Sequence, residues 1–439
     1  MWGETVSKKI LIIYEKMGMG HLRMANILED ILNGSGDVRI FKLAGSELSG
    51  SSDVQGIVYL WNLFIRKNWI KAADILVNFI IRIVGVPIIE VMNTKPFLDK
   101  LEQIDPDIII STADGFNRVL GTYASEKNIP FYIFLTEVSV FSDLVNPYAT
   151  HICYFKETVE AIRSYDFQLT YFSFVLNRAT GFLRKILYVL KNYNDYIIHA
   201  YKNSIYSNPD KNLPQRNNAR CEVIGPLAEK KHFTYKNPEF IKQKYNIPKD
   251  VPNVIIASGS IGGQFLMDMV NIISSECKTP LNLLVMCGHD RQMYQRMLEV
   301  KKSRNHLKHI NIMPFEYTDS FNEFLAVADC LIARPSAGIF IESLINRIPQ
   351  ITFSLATSND RGAITLMQKY ETGEVCKRPK DLVHALNKIL NNRDRYRHNI
   401  EQLLSMYYIT YEEKKAKLRE LILNDAVNSA SQEERVCLV

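Results

Sequence analysis

Residues 329–363 constrain the fold more than any other part of the chain, because they read as a strand, a turn, a helix and a second strand in immediate succession. The short apolar run at 330–333 lies between polar residues and predicts a buried parallel strand. A turn of small residues at 335–338 leads into an apolar helix that ends before Pro349. Open α/β folds bind ligands at the carboxyl ends of such strands. The segment therefore predicts an α/β domain with a ligand site at this turn.

The polar residues of this segment fall where a bound nucleotide would lie. Ser336 is placed to cap the helix, and the amides of the first helical turn would then point out of the carboxyl edge of the sheet. Glu342 follows on the helix, and a carboxylate accepts enough hydrogen bonds to hold both hydroxyls of a ribose. The same pattern also fits any βαβ unit with a polar turn, so other segments must decide between the two interpretations.

A glycine-rich loop opens a second α/β domain. The strand PNVIIASGS at 252–260 runs into this loop, and an amphipathic helix starts near Gln264. Glycines let main-chain amides approach a diphosphate closely, and the helix N-terminus adds a partial positive charge. The loop is therefore predicted to bind a diphosphate through Ser258, Gly259, Ser260, Gly262 and Gly263.

The amino-terminal end of the chain predicts the start of another α/β domain. The apolar run KKILIIY at 8–14 predicts a first strand, and Gly18, Gly20 and His21 follow it at the start of a helix. His21 thus lies at the carboxyl end of the first strand of an α/β domain, which favours a functional role over a surface or capping role. A Rossmann dinucleotide site is disfavoured, because the third glycine is missing and no acid ends the second strand, VRIFKLA.

Together these segments resemble glycosyltransferase family 28, which includes monogalactosyldiacylglycerol synthases, processive diacylglycerol glucosyltransferases and the N-acetylglucosaminyltransferase of peptidoglycan synthesis. The Pro- and Gly-rich turn and the helix Glu of the family are matched by Pro335, Gly338 and Glu342. The sequence departs from the family at 358–363, where SNDRGA replaces a Gly-Gln-Glu run and a later Gly-Asn. The resemblance implies a GT-B fold, in which two Rossmann-like α/β domains face a central cleft, with helical insertions in the N-terminal domain.

The resemblance also implies a site. It puts the donor nucleotide on the second domain, with Phe315 as a wall of the uracil pocket, and the acceptor on the first. The predicted donor-site residues are Gly20, Ser258, Gly259, Ser260, Gly262, Gly263, Phe315, Pro335, Ser336, Ala337, Gly338, Glu342, Asn359, Asp360 and Arg361. Candidates for the catalytic base are His21, Glu137 and Asp114, in that order, because all three follow predicted strands. Histidines that the family carries near the positions of Glu137 and Asp114 are missing from this sequence. The identities of the base and of the acceptor therefore stay open.

Two apolar segments rich in aromatic and basic residues, at 55–92 and 167–205, are predicted to be the helical insertions. Charged residues interrupt both segments, so neither offers the roughly 20 apolar residues that a membrane span requires. In the first segment, Trp61, Phe64 and Trp69 would enter a membrane surface while Arg66, Lys67 and Lys71 meet anionic lipid. The alternative is that both segments are internal helices of a larger amino-terminal domain.

The chain of 439 residues is long enough for two domains of roughly 200 residues each. We predict an N-terminal domain at 1–225, a C-terminal domain at 226–400, a helix at 401–424 that returns to the first domain, and a disordered tail at 425–439. The amino terminus leads straight into a strand, which argues against export. The seven scattered cysteines predict reduced thiols and no structural zinc. The expected location is the cytoplasm, on the inner face of a membrane.

The resemblance implies an inverting glycosyltransferase that moves a hexose from a UDP-sugar to a lipid or membrane-associated hydroxyl, such as that of diacylglycerol. UDP-sugar serves as co-substrate, and no cofactor is expected. No Asp-x-Asp metal motif lies at a plausible strand end, so no essential divalent ion is expected. No nucleic acid partner is expected from the modest net charge of +6. Three alternatives stay open: a transferase with a soluble small-molecule acceptor, an isomerase of the UDP-sugar 2-epimerase type, and a non-catalytic GT-B scaffold.

Overall fold

The computed structural model describes residues 8–15, 19–34, 38–49, 54–165, 215–259, 261–304 and 306–428. Within them the chain forms two parallel sheets of six strands each. The first sheet has the order β2-β1-β3-β4-β5-β6 and the second the order β12-β11-β10-β7-β8-β9. The strands are β1 (Lys8–Tyr14), β2 (Val38–Ala44), β3 (Ile108–Ser111), β4 (Phe131–Phe134), β5 (Thr150–Cys153), β6 (Arg220–Val223), β7 (Asn253–Ala257), β8 (Leu281–Met286), β9 (Ile310–Phe315), β10 (Cys330–Ala333), β11 (Gln350–Phe353) and β12 (Gly373–Cys376).

Helices flank both sheets. Those of the first half are α1 (Gly20–Leu32), α2 (Gly45–Ser49), α3 (Val54–Arg66), α4 (Ile70–Asp74), a π-helix (Ile75–Gly85), α5 (Val86–Ile104), α6 (Asn117–Lys127) and α7 (Lys156–Arg163). Those of the second half are α8 (Pro238–Lys244), α9 (Gln264–Glu276), α10 (Arg291–Ser303), α11 (Phe321–Val327), α12 (Ala337–Ile345), α13 (Ser358–Lys369), α14 (Leu382–Asn391), α15 (Arg393–Leu404) and α16 (Tyr411–Asn428). Helices cover both faces of such parallel sheets, so central strands such as β7 and β10 are largely apolar.

Burial of the strands explains why the sequence predicted them correctly. All residues of β7, β8 and β10 are buried, and each of these strands is a continuous or nearly continuous apolar run. A strand buried on both faces has no polar side to alternate with, which distinguishes it from a half-exposed strand. The predicted α/β class with two such domains is confirmed.

The segment between β2 and β3 forms a helical insertion, defined here as residues 54–104. It lies against the glycine-rich loop of the second half, where Ile65, Ile70 and Ala73 pack with Ile261. Trp61 and Phe64, which were predicted to enter a membrane surface, are partly buried against that same apolar cluster. Trp69 is 57% exposed. The predicted insertion at 167–205 lies outside the described residues.

The carboxyl-terminal part returns to the first sheet. On α16, the carbonyl of Leu421 accepts a hydrogen bond from the Tyr132 hydroxyl at 2.9 Å, and Lys414 Nζ donates to the carbonyl of Ile224 at 2.9 Å. The single helix predicted at 401–424 is instead two helices, because a turn at 405–410 separates α15 from α16. Residues 425–428, predicted as tail, continue α16, and 429–439 lie outside the described residues.

One contact between the two halves depends on a glycine. The Gly362 amide donates to Ser139 Oγ at 2.9 Å, and a Cβ at Gly362 would stand only 2.6 Å from the Ser139 main-chain nitrogen. We expect Gly362→Ala to lower the free energy of unfolding by about 1–3 kcal/mol, because a main-chain atom cannot rotate out of the way. Thermal melting checks this, with Gly56→Ala as a control, since nothing lies within 4 Å of that position. Equal melting of Gly362→Ala and wild type would contradict the contact.

Candidate active site

The loops after β1, β3 and β4 meet at one edge of the first sheet, because these strands are neighbours and run parallel. They bring Glu15, Asp114 and Glu137 to the cleft between the two halves, and His21 joins them from the first turn of α1. All three predicted base candidates therefore lie in one group. Gly20 is exposed at the start of α1.

His21 is held in a defined orientation. Its Nδ1 lies 2.6 Å from the carbonyl oxygen of Thr112 and 3.2 Å from the Thr136 hydroxyl, and the residue is only 6% exposed. A carbonyl accepts only, so this contact places the proton on Nδ1. Nε2 then faces Asp114, with 3.9 Å to Asp114 Oδ1, which exceeds hydrogen-bond length. His21 can therefore take a proton on Nε2, and Asp114 is placed to stabilise the imidazolium.

Arg82 of the π-helix enters this group from the insertion. Its Nη2 pairs with Asp114 Oδ2, and its Nε lies 3.2 Å from Asp143 Oδ2. The guanidinium also lies over the Phe141 ring, 3.7 Å from the centroid. Arg82 is 4% exposed and Asp143 2% exposed. The cation and the two carboxylates compensate each other, as buried charges require.

Burial sets the protonation of the other carboxyl groups. It raises the pKa of Glu15 to about 8, with a further contribution from Asp114. Burial also raises the pKa of Glu137 well above its usual range, and Asp360 and Asp114 add to the effect. For Asp143, burial raises the pKa to about 6 although Arg82 acts against it. The cleft thus contains carboxyl groups that hold a proton near neutral pH.

Glu15 gives a pH-dependent prediction. Its pKa rises from 4.5 to about 8 on folding, so the folded state binds the proton more tightly and stability falls as pH rises through that window. Glu15→Gln cannot ionise, and we expect it to be more stable than wild type by roughly 1–4 kcal/mol at pH 9, with little difference at pH 4. Urea denaturation across this range checks the sign, with Glu276→Gln as an exposed control. Parallel pH profiles of the Glu15 variant and wild type would contradict the prediction.

The glycine-rich loop has the backbone that its sequence suggested. Gly259, Gly262 and Gly263 have φ values of +68°, +72° and +111°, which residues other than glycine rarely adopt. A Cβ at Gly263 would come within 2.8 Å of the Arg66 main chain, so the insertion is packed directly on the loop. Nothing lies within 4 Å of the Cβ position at Gly259. Ser258 is buried, and Ser260 lies outside the described residues.

The turn at 335–338 leaves β10 and starts α12. Ser336 occupies the cap position, but its side chain makes no capping hydrogen bond, contrary to the expectation that it would cap the helix. The hydroxyl therefore does not satisfy the first-turn amides. Pro335 and Ala337 are buried beside it, while Gly338 is exposed with nothing within 4 Å of its Cβ position.

Glu342 lies on the side of α12 that faces the first domain. Its Oε1 accepts a hydrogen bond from Arg23 Nη1 at 2.6 Å and lies 3.7 Å from His232 Nε2. The residue is 6% exposed, and burial raises the pKa of its carboxyl group while Arg23 opposes the rise. Arg23 belongs to α1, so the carboxylate points across the cleft. A ribose reaches both carboxylate oxygens only if Arg23 turns aside.

The remaining predicted donor residues divide into two groups. Phe315 packs on Phe324 and Tyr245, with ring centroids 4.7 and 6.1 Å away, and is partly buried. On the first turn of α13, Asp360 is 2% exposed and accepts from the Thr357 hydroxyl at 2.9 Å. Its neighbours Asn359 and Arg361 are partly buried. The α13 turn lies against the first domain, because the Ser139 hydroxyl contacts the carbonyl oxygens of Ser358 and Asn359 at 2.9 and 2.8 Å.

Several residues at the cleft escaped the sequence patterns. Arg334 ends β10 and lies 3.8 Å from Asp360 Oδ2, and its position directly before Pro335 is the signal that could have found it. Glu15 ends β1, so the strand-end rule that selected His21 applies to it equally. Arg82 and Asp143 gave no such signal, because tertiary packing brings the insertion with Arg82 to the cleft and Asp143 lies well past the end of β4.

The described part of the chain contains no group of three or more His, Cys, Asp or Glu side chains placed to hold a metal ion. Among the same residues no helix combines the length and the apolar character needed to cross a membrane.

Comparisons with known proteins agree with this geometry. Residues 253–417 match the glycosyltransferase family 28 C-terminal domain. A processive diacylglycerol beta-glucosyltransferase of Staphylococcus haemolyticus is 24% identical over 174 residues, which are 39% of this chain and 42% of that protein. A UDP-N-acetylglucosamine--N-acetylmuramyl-(pentapeptide) pyrophosphoryl-undecaprenol N-acetylglucosamine transferase of Bacillus thuringiensis is 25% identical over 161 residues, 35% of this chain and 42% of that protein. The chain thus spans about two fifths of the length of these curated relatives.

Solved structures match over nearly the whole chain. MurG of Acinetobacter baumannii has a TM-score of 0.53 at 12% identity and covers 95% of this chain and 99% of its own. UGT2 of Phytolacca americana, complexed with UDP-2fluoro-glucose and pterostilbene, has a TM-score of 0.54 at 12% identity and covers 97% of this chain and 100% of its own. At this identity the likeness establishes the fold. The chain therefore has a two-domain GT-B fold, and its residues 253–417 match the glycosyltransferase family 28 C-terminal domain.

Proposed function

We propose that the protein is an inverting glycosyltransferase that moves a hexose from a UDP-sugar to a hydroxyl of a lipid or membrane-associated acceptor such as diacylglycerol. The observation that carries the proposal is the arrangement across the cleft. His21 and Asp114 stand on the first domain, while Glu342 and the turns at 258–263 and 335–338 stand on the second. The family match of the second domain supports a sugar nucleotide as the donor.

The proposed reaction uses these groups in one displacement. The acceptor hydroxyl gives its proton to His21 Nε2 as its oxygen forms a bond to the anomeric carbon of the hexose. The bond from that carbon to the diphosphate oxygen breaks, and UDP leaves with the electron pair. Asp114 stabilises the imidazolium, while main-chain amides of the two turns and the Arg334 guanidinium stabilise the departing diphosphate. Attack opposite the leaving group inverts the anomeric configuration.

The outer surface of the insertion supports a peripheral position on the cytoplasmic face of a membrane. Large apolar side chains are exposed there, namely Tyr59, Leu60, Trp69, Ile75 and Ile80. Exposed cations accompany them at Arg66, Lys67 and Lys71. Such a surface suits the boundary between anionic head groups and acyl chains. Sedimentation with vesicles containing anionic lipid tests this, and Trp69→Ala with Lys67→Ala should reduce the bound fraction; an unchanged bound fraction would contradict it.

An isomerase of the UDP-sugar 2-epimerase type is the second candidate, because the cleft is richer in acids than the sequence suggested. Five carboxyl groups surround it: Glu15, Asp114, Glu137, Asp143 and Asp360. Acids with raised pKa values can move a proton at a sugar carbon. The two candidates differ in product, since an isomerase returns an altered UDP-sugar without any acceptor.

The deciding experiment incubates the protein with UDP-glucose, UDP-galactose or UDP-N-acetylglucosamine and diacylglycerol in mixed micelles, and analyses products by mass and by anomeric NMR signals. We expect one donor to give a glycolipid with inverted configuration. An epimerised UDP-sugar would favour the isomerase. Transfer to soluble alcohols alone would favour a small-molecule acceptor, and the absence of both product and UDP binding would favour a scaffold.

A further inference from the structure

The Arg82 guanidinium has a hydrogen-bonding group left over. Its Nη2 and Nε face Asp114 and Asp143, and within the described part of the chain its Nη1 has no hydrogen-bond partner although the residue is only 4% exposed. An unpaired buried donor costs about 1–3 kcal/mol, so such groups are uncommon unless something else supplies the partner. A bound molecule at the cleft is the natural source of that partner.

Unpaired acceptors lie around the same cleft. Asp114 Oδ1 and Glu137 Oε2 are buried without hydrogen-bond partners among the described residues. Arg82 is close enough to Glu137 for each charge to act on the other. A ligand that satisfies this set must both donate to carboxylates and accept from a guanidinium. Hydroxyl groups do both, whereas a phosphate only accepts and would face the carboxylates of Asp114 and Asp143 that pair with Arg82.

The local backbone supports a role for Arg82 in binding. Arg82 belongs to an 11-residue π-helix, Ile75–Gly85. Helical segments of this kind are rare and are often found at functional sites, because they reposition side chains at a cost in helix stability. Here the irregular segment carries a charged side chain from the insertion to the carboxylate that faces His21.

We propose that Arg82, supplied by the insertion, binds the acceptor: its free Nη1 donates to an uncharged oxygen of the acceptor, next to the hydroxyl that His21 deprotonates. The inference deepens the proposed function and rests on it for the identity of the acceptor. An ester carbonyl or a second hydroxyl beside the reacting hydroxyl provides the oxygen. The insertion thereby becomes part of the acceptor site and selects against acceptors with a phosphate at this position.

The test compares wild type with Arg82→Lys, which keeps the charge but loses the planar fork of N–H groups. Binding of diacylglycerol in mixed micelles is measured by titration, alongside the acceptor KM, UDP affinity, donor hydrolysis without acceptor, and melting temperature. We expect diacylglycerol binding to weaken about tenfold, with UDP affinity unchanged. Arg39→Lys, an exposed arginine of β2, serves as the matched control.

A second variant tests whether a loss of acceptor binding comes from misfolding. Arg82→Gln combined with Asp143→Asn removes one cation and one anion together, and should lose acceptor binding while it melts near wild type. Phosphatidic acid in the same micelles should compete poorly. Unchanged acceptor binding in both variants, equal competition by phosphatidic acid, or a parallel loss of UDP affinity and melting temperature would overturn the proposal. If wild type binds diacylglycerol through Arg82 but transfers no sugar, the proposed function fails and this inference stands.

Discussion

His21→Asn is expected to lower the rate of sugar transfer by about 10²- to 10⁴-fold, the usual contribution of a positioned base. The structure gives the reason, because the Thr112 carbonyl holds Nδ1 and leaves Nε2 facing Asp114 within the cleft. Asparagine can keep a hydrogen bond to the carbonyl but has no nitrogen that can take a proton. The measurement is kcat for transfer to diacylglycerol at saturating UDP-sugar.

A measurement of UDP affinity distinguishes the loss of the catalytic base from damage to the fold. It should be unchanged in His21→Asn, since the donor lies on the second domain. His309→Asn is the control, because His309 contacts the Cys277 carbonyl at 3.0 Å, outside the cleft. Wild-type activity in His21→Asn would remove His21 from the mechanism and leave Glu137 or Asp114 as the base.

Glu342→Gln is expected to weaken UDP binding by roughly 10- to 100-fold, the equivalent of losing one or two hydrogen bonds to a charged group. Glutamine fills the same space, and the raised pKa of Glu342 shows that burial already disfavours its charge, so the fold should be retained. Calorimetric titration with UDP measures the change, and a loss of affinity without a loss of melting temperature is the predicted pattern.

The control for this variant is Glu229→Gln. Glu229 also lies near Arg23, with 3.7 Å from Arg23 Nε to its Oε1, but it is on the chain before α8 and not on α12. If the Glu342 effect arose only from freeing Arg23, both substitutions would act alike. Equal UDP affinity in wild type and Glu342→Gln would mean that this carboxylate does not bind the ribose.

The sequence was sufficient to predict how the base candidates come together, for a simple physical reason. Parallel strands end at one edge of a sheet, so residues that follow neighbouring strands must meet there. His21, Asp114 and Glu137 follow β1, β3 and β4, which are adjacent in the sheet. The glycine-rich loop was predictable on the same grounds, since its positive φ values require glycine.

The insertion was predicted less well, because its role depends on where its helices pack. Its apolar and basic residues suggested a membrane surface, yet Asp74 accepts a hydrogen bond from the Ser358 amide of the second domain at 2.7 Å. Arg82 is likewise directed inward, to Asp114. Hydrophobic periodicity shows that a helix has an apolar face, but it does not show whether that face meets lipid or another domain.

The most direct test of the central claim is a crystal structure of the protein with UDP. We predict that the diphosphate lies against the main-chain amides of 258–263 and 335–338, and that Glu342 has exchanged Arg23 for the two ribose hydroxyls. UDP bound elsewhere, or bound with Glu342 still paired to Arg23 and away from the ribose, would contradict the account.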